Sequence, residues 1–428
     1  MDTSNRNRNR NRNRNRNRNR KELVIIGGGI SGLCLAREAK KSGIDYVIIE
    51  ASKNIGGVWN TAFHTSRLQT HWKNYKFSNY SSSNKTNKLE FPFSGEILEY
   101  LNDFTKQNSF NFCFNTCVIK CEYDKKTLVW NVDTNNENSF ECKYLGICSG
   151  YYSVPKAICG LSRFEGSIID YNKFSKIGLK NKKILIVGNG ASCVDVLRYW
   201  QETGTIDEIA SLDISYTRDK YFLNTYFARL ISLFVNKYFL KFLNIIPKWM
   251  LIILIYLFCK LNGHIPDEKF NANNVVASGI ITQLEKEGKI RYIKSLVACA
   301  RGNRVLFTNG IVGEYDLIIN KCGYKKSIEY MNIDNIDKEL GYNFCIVDRF
   351  PRCAFIGFAP SSNWTRVAEA QSNWWISIVK GSRKLPDNNE LSLFYKKYLK
   401  KRGDTREFND LTYESFEFSE SLRNICNL

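Results

Sequence analysis

The stretch LVIIGGGISGLCLAREAKKSGIDYVIIE, residues 23–50, decides the fold. Leu23–Ile26 is a short apolar run, Gly27–Gly32 a turn, Leu33–Lys41 helical in character and Tyr46–Ile49 a second strand. The turn spells Gly27-x-Gly29-x-x-Gly32. In such a turn the first glycine permits the tight bend. The second lets a pyrophosphate approach the backbone, and the third lets the helix pack on the strand. Free N–H groups at the helix start, around Ser31, face the phosphates. Glu50 follows the second strand and is placed to accept hydrogen bonds from an adenosine ribose. The strand before the turn, the helix after it and the acid in place separate this motif from a chance match.

The same order returns further along. Ile184–Val187 reads as a strand, Gly188-Asn189-Gly190 as a turn, and Ser192–Trp200 as a helix. Cys193 holds the third glycine position, which loosens the helix packing. The strand expected near Ile209–Tyr216 is followed by Thr217-Arg218 rather than by an acid. A cation there suits a 2′-phosphate and favours NADP over NAD. Gly188, Gly190, Ser192 and Arg218 are therefore the expected contacts of this second nucleotide.

Two such units predict an α/β protein with two Rossmann-like dinucleotide-binding domains. The closing segment, Cys353–Phe358 and a helix near Val367–Ile378, has no third fingerprint and is expected to complete the first domain's sheet. The second domain is then inserted into a discontinuous first one. The expected division is a disordered Asn-Arg tail at 1–20, a first domain at 21–160 and 330–428, and a second at 161–329. Six residues after Glu50, Gly56-Gly57-Val58-Trp59 reads as a further glycine turn.

The chain of 428 residues has a net charge of +20, and without residues 1–20 (eight Arg, one Asp) about +13 remains. A basic body fits an anionic dinucleotide, a membrane surface or nucleic acid without choosing among them; no nucleic-acid partner is expected. Fourteen cysteines form no CxxC pair, which argues against a dithiol-using flavin reductase. Cys113, Cys117 and Cys121 are expected on one face of a single β stretch, and with three histidines a zinc site is not expected. The cysteines read as free thiols of a reducing compartment. The N-terminus has no apolar signal core, and strict Asn-Arg alternation makes no amphipathic helix, so a cytoplasmic protein is expected.

One segment stands apart within an apolar helical insertion at 224–262. Phe227, Leu230, Ile231, Phe234, Tyr238 and Phe242 recur at helical spacing. Its longest uncharged apolar run, Trp249–Cys259, is too short to span a bilayer. Two readings stand: a buried domain cap, or a peripheral membrane contact through 227–260 with Lys237, Lys241, Lys248 and Lys260 at its margins.

From about Glu22 to Leu385 the chain resembles the flavin-containing monooxygenase family, and its plant-like members more than its animal ones. The carriers are GGGISG (27–32), GGVW (56–59), RLQTHWKNYKFSNY (67–80), CSGYYSVP (148–155) and GNGASCVD (188–195). DLIINKCGY (316–324) and FIGFAPSSNWTRVAEAQ (355–371) complete the set. The resemblance implies FAD on the first unit and NADPH on the second. It also implies a mechanism: NADPH reduces FAD, NADP⁺ remains bound, and O₂ adds to the flavin as a C4a-hydroperoxide. A nucleophilic nitrogen or sulfur of a small molecule then takes one oxygen. It implies that Gly27, Gly29, Gly32 and Glu50 hold FAD, that Gly57 and Trp59 lie toward the isoalloxazine, and that backbone at Val118 approaches the adenine. Gln69 falls where the family places a catalytic amide; plant-like members have Gln there and animal ones Asn. Three positions depart from the pattern. The FxGxxxH motif reads Phe164-x-Gly166-x-x-x-Asp170, ATGY reads Lys321-Cys322-Gly323-Tyr324, and Cys193 replaces glycine. Two other readings remain open at this stage: a Baeyer–Villiger-type or uncoupled NADPH-oxidising flavoenzyme, and a catalytically weak flavin-binding protein that acts by association.

Overall fold

The computed structural model describes residues 18–82, 91–136, 138–150, 152–170, 178–216, 221–222, 275–276, 278–359, 364–387 and 389–390. Residues 1–17 of the tail, Arg218 and the 224–262 insertion lie outside the described residues.

The chain opens with β1 (Asn19–Ile26), helix α1 (Ile30–Lys41) and β2 (Tyr46–Ile49). Helix α2 (Ser94–Asn108) leads to β3 (Phe112–Cys113), β4 (Val118–Asp124), β5 (Val129–Thr134) and β6 (Ser139–Ile147). These strands form one sheet in the order β3-β2-β1-β6-β5-β4. β1 runs parallel to β2 and β6, pairing Ile26 with Ile49 and with Ile147. Along β1, Leu23 and Ile25 enter one core while Val24 and Ile26 enter the other. That is why the run is apolar at every position rather than alternating: both faces are covered.

β1 starts four residues before its apolar run. Asn19 and Arg20 pair with Phe140 and Glu141. Arg18 and Arg20 meet Asp133 at 3.3 Å and Glu141 at 3.1 Å. The end of the Asn-Arg repeat is therefore a strand, a correction to the tail expected at 1–20. The cysteine reading also needs correction. Cys113 lies in β3 and Cys121 in β4, at opposite edges of the sheet, with exposed Cys117 between them. Residue parity could not detect that the chain changes strand at Phe114–Cys117.

The second sheet takes β7 (Ser167–Asp170), β8 (Lys183–Val187), helix α3 (Ala191–Glu202) and β9 (Ser211–Ser215). A short pair, β10 (Tyr221–Phe222) with β11 (Val275–Val276), and α4 (Ile280–Lys286) follow. Then come β12 (Arg291–Ile293), β13 (Val297–Arg301), β14 (Arg304–Phe307), β15 (Val312–Glu314) and β16 (Leu317–Asn320). The strand order is β12-β9-β8-β16-β7, and every pair is parallel. Ile184 and Ile186 of β8 pack under α3 and α4, while Leu185 and Val187 pack on residues from the antiparallel β13-β14-β15 sheet.

After α5 (Ile336–Glu339), β17 (Cys353–Phe355) returns to the first sheet and pairs with β6 at Leu145–Ile147. Helix α6 (Trp364–Val379) then packs on α1, burying Trp374 and Trp375 in the same core. A buried ion pair ties the two helices: Arg37 donates to Glu369 at 3.0 Å and to Glu38 at 2.7 Å. Glu369 also accepts from the Ser78 N–H at 2.7 Å and the Ser78 hydroxyl at 2.6 Å. Removing one member would strand a buried charge, a loss of about 3–5 kcal/mol. Among the described residues no helix is long and apolar enough to cross a membrane.

Candidate dinucleotide sites

Both glycine turns stand at the C-terminal end of a central strand that has parallel neighbours on both sides. β1 lies between β2 and β6, and β8 lies between β9 and β16. Open α/β sheets present their ligand crevice at this point of divergence.

The two turns match residue by residue. Gly27 has φ +109° and Gly188 φ +120°, values that L side chains rarely adopt. The Gly27 N–H donates to Ile49 O and the Gly188 N–H to Ser215 O, each at 2.8 Å. Cys148 follows β6 and Lys321 follows β16, and each donates its N–H to the last residue of the central strand at 2.8 Å. A Cβ on Gly27 would lie 2.7 Å from Cys148 O, and one on Gly188 2.1 Å from Lys321 O. Neither turn tolerates a side chain at its first position.

Helix α1 starts after Gly29 and α3 after Gly190. Neither has a side-chain cap or an acidic residue in its first turn. The first N–H groups of both helices thus remain available to an anion, as a pyrophosphate requires. Gly29 and Gly190 leave open the approach to those groups, with Ser31 and Ser192 beside it. The residues present fit a dinucleotide at each turn.

The first site has further parts. Buried Glu50 accepts the Gly28 N–H on Oε2 at 2.6 Å, and the Ser52 N–H and hydroxyl on Oε1 at 2.8 and 2.7 Å. Oε2 keeps a lone pair for a ribose hydroxyl. The Gly56 N–H donates to Gly28 O at 3.1 Å. At Gly57, φ is +56°, and a Cβ there would meet Gly29 Cα at 3.3 Å. The second glycine turn is therefore seated on the first. Trp59 Nε1 donates to the Tyr75 hydroxyl at 2.6 Å, anchoring the indole in the aromatic core. Burial pushes that phenol's pKa up, so it stays neutral. Val118 is buried at the head of β4, just after Thr116, whose N–H donates to Glu50 O at 3.0 Å. Gln69 is exposed, next to buried Leu68.

Sequence reasoning missed Gly357. It has φ +81°, and a Cβ there would lie 2.0 Å from the Ser31 hydroxyl. The turn after β17 therefore presses on the first turn of α1. Cys148 and Lys321 were missed as a pair, although the repeated x-x-Gly-Tyr of CSGY and KCGY signalled it.

At the second site the structure brings Gly188, Gly190 and Ser192 together; Arg218 is not described. Asn189 is buried and donates to the Tyr292 hydroxyl at 2.7 Å. Cys193 is fully buried, and burial pushes its thiol up to about 12. The departure residue Asp170 ends β7 and accepts from Asn320 Nδ2 at 2.9 Å. On α3, the Tyr199 ring stacks on Phe63 with centroids 4.7 Å apart, and Glu202 lies 3.4 Å from His64. The second unit's helix thus touches the stretch that leads to Gln69.

Residues 24–215 match the family described as pyridine nucleotide-disulphide oxidoreductase. A 4-hydroxybenzoate brominase (decarboxylating) of Marinomonas mediterranea is 27% identical over 405 residues, covering 86% of this chain and 75% of the relative. A probable flavin-containing monooxygenase 1 of Arabidopsis thaliana is 24% identical over 492 residues, covering 95% and 91%. Among solved structures, S-allyl-L-cysteine S-oxygenase from Allium sativum superposes with a TM-score of 0.66 at 17% identity, over 96% of this chain and 89% of that one. A closed cyclohexanone monooxygenase gives 0.73 at 15% identity, over 96% and 98%. The structural likenesses establish the shared two-site fold.

Proposed function

We propose, for a chain that belongs to the flavin-containing monooxygenase family, the oxygenation of a nucleophilic nitrogen or sulfur in a small molecule. The protein is an NADPH-dependent flavin monooxygenase with FAD and NADPH as its cofactors. One atom of O₂ goes to the substrate and the other leaves as water, with NADPH supplying two electrons.

Bound flavin supplies the redox chemistry and the activation of O₂. The chain's own residues bind and orient. Gly27, Gly29 and Ser31 would take the FAD pyrophosphate on the start of α1, with Gly32 letting that helix pack on the turn; Glu50 would take the ribose, and backbone at Val118 the adenine. Gly57 and Trp59, the latter braced by Tyr75, would lie toward the isoalloxazine. Gln69, exposed on its turn, can both donate and accept toward the reacting edge. Gly188, Gly190 and Ser192 take the NADPH pyrophosphate on α3, and Arg218 its 2′-phosphate.

The observation that carries this reading is the pair of uncapped glycine turns, each at the C-terminal end of a central strand with parallel neighbours on both sides. A nitrogen or sulfur substrate is favoured over a ketone because a flavin-containing monooxygenase matches 95% of the chain at 24% identity, whereas the likeness to cyclohexanone monooxygenase, at 15% identity, is one of fold alone. The test is incubation of the FAD-loaded protein with NADPH and ¹⁸O₂, supplying a thioether, a tertiary amine or cyclohexanone. One labelled oxygen in the thioether or amine product supports the proposal. A labelled lactone from cyclohexanone alone replaces it with a Baeyer–Villiger enzyme. NADPH oxidation with no labelled product replaces it with an uncoupled oxidase.

A further inference from the structure

Two departures from the family pattern, Asp170 and Lys321, are far apart in sequence and adjacent in space. Asp170 ends β7, and Asn320, the residue before Lys321, pairs with it across the sheet and hydrogen-bonds its carboxylate. Lys321 sits level with Gly188, at the point where the second sheet's strands diverge, and its carbonyl packs against that glycine. Its side chain is buried. Charged and titratable neighbours face it from two elements: Cys193 and Asp195 of α3, and Asp170 of β7. Asp195 in turn lies beside Ser66 and Arg198. The first unit carries the neutral Cys148 in the position of Lys321. A buried amine at the edge of a phosphate-binding turn is the distinguishing feature of the second.

Resting on the reading that the second turn holds NADPH, we propose that Lys321 is a positioning residue for that nucleotide, and that its ammonium form is stabilised by, and strengthens, binding of the dinucleotide phosphates. Burial lowers the Lys321 pKa to about 7, against the raising effect of Cys193, Asp195 and Asp170. The side chain therefore gains and loses its proton near neutrality. An anion arriving at the Gly188 turn favours the charged form, so binding takes up a proton. Affinity falls as pH rises past 7, because the free protein then holds Lys321 neutral.

The experiment measures the NADP⁺ dissociation constant of the FAD-loaded full chain by calorimetry from pH 6 to 8.5. Wild type is compared with Lys321→Met, Lys321→Arg and Asp195→Asn. Ionisation of the ligand's own 2′-phosphate is common to all four and cancels in the ratios. Wild-type affinity is expected to fall about tenfold relative to Lys321→Arg between pH 7 and 8.5. Lys321→Met is expected to bind weakly at every pH and to lack this dependence. Asp195→Asn removes a neighbour that favours the ammonium, so its transition moves to lower pH. A ratio of wild type to Lys321→Met that stays constant with pH overturns the inference, since Lys321 then takes up no proton on binding. Absence of NADP⁺ binding to wild type at every pH overturns the assignment of the second turn as well.

Discussion

In the first turn a Cβ on Gly32 would lie 1.9 Å from Gly27 O. At the same place in the second turn, Cys193 carries a whole buried thiol. The residue that follows the neighbouring strand differs as well: Cys148 in one unit, Lys321 in the other. Each strand-turn-helix is held by the same backbone hydrogen bonds, but the first packs its helix down on the turn and the second inserts side chains between them. The first unit also carries braces that have no counterpart among the described residues of the second: the Gly56-Gly57 turn seated on Gly28 and Gly29, and the carboxylate of Glu50. The position matching Glu50 in the second unit is Tyr216, since Ile49 and Ser215 both accept from the first glycine. One plan thus yields a closely packed site and a looser one with a titratable group inside it.

The sharpest way to break this comparison is to exchange the third positions. Gly32→Ala forces a methyl group onto a carbonyl that cannot retreat without opening the turn. The expected result is loss of most bound flavin and a destabilisation of about 3 kcal/mol or more. Cys193→Ala removes one buried sulfur from a place already shaped for a side chain, so about 1 kcal/mol is expected, with flavin retained. Absorbance of the purified proteins and their denaturant midpoints check both. Equal losses in the two variants would mean that the turns are packed alike.

Glu50→Gln is next in size. The carboxylate holds the Gly28 N–H and both donors of Ser52, and hydrogen bonds to a charged acceptor contribute about 1.5–3 kcal/mol. FAD affinity is expected to fall ten- to a hundredfold, while Tyr216→Phe leaves it unchanged. Flavin release followed by fluorescence measures both.

How much of this was legible beforehand depends on the kind of signal. The strands β1 and β8, the helices α1 and α3 and the return of the 353–358 segment to the first sheet could be read, because apolar runs and glycine spacing are local. The start of β1 could not, since Asn19 and Arg20 are extended by partners more than a hundred residues away. Cys113 and Cys121 share a residue parity but not a strand, and parity holds only while the strand continues. The braces on the first site were half legible: GGVW announced a turn, but its seat on Gly29 and the pressure of Gly357 on Ser31 are tertiary facts. Lys321 and Asp170 were visible only as departures, and no local rule could show that they stand side by side.

The smallest effect tests the charged interior of the second unit directly, without a ligand. The Lys321 pKa is about 7 in the folded protein, while a free lysine keeps its proton to about 10.4. Between those values the unfolded chain binds the extra proton, so stability rises with pH. Burial raises the Asp195 carboxyl to about 6, with Ser66, Arg198 and Lys321 opposing. Its linkage has the opposite sign and is complete below that pH, so it does not mask the rise. Wild type should gain about 1 kcal/mol between pH 7 and 8 relative to Lys321→Met. That window lies below the range in which an exposed thiol ionises, so the buried cysteines contribute little to the difference. Urea denaturation of the two proteins at both pH values measures it. Parallel pH profiles would mean that Lys321 keeps its proton through this range in the folded protein, and the second unit would then hold a permanent charge rather than a titrating one.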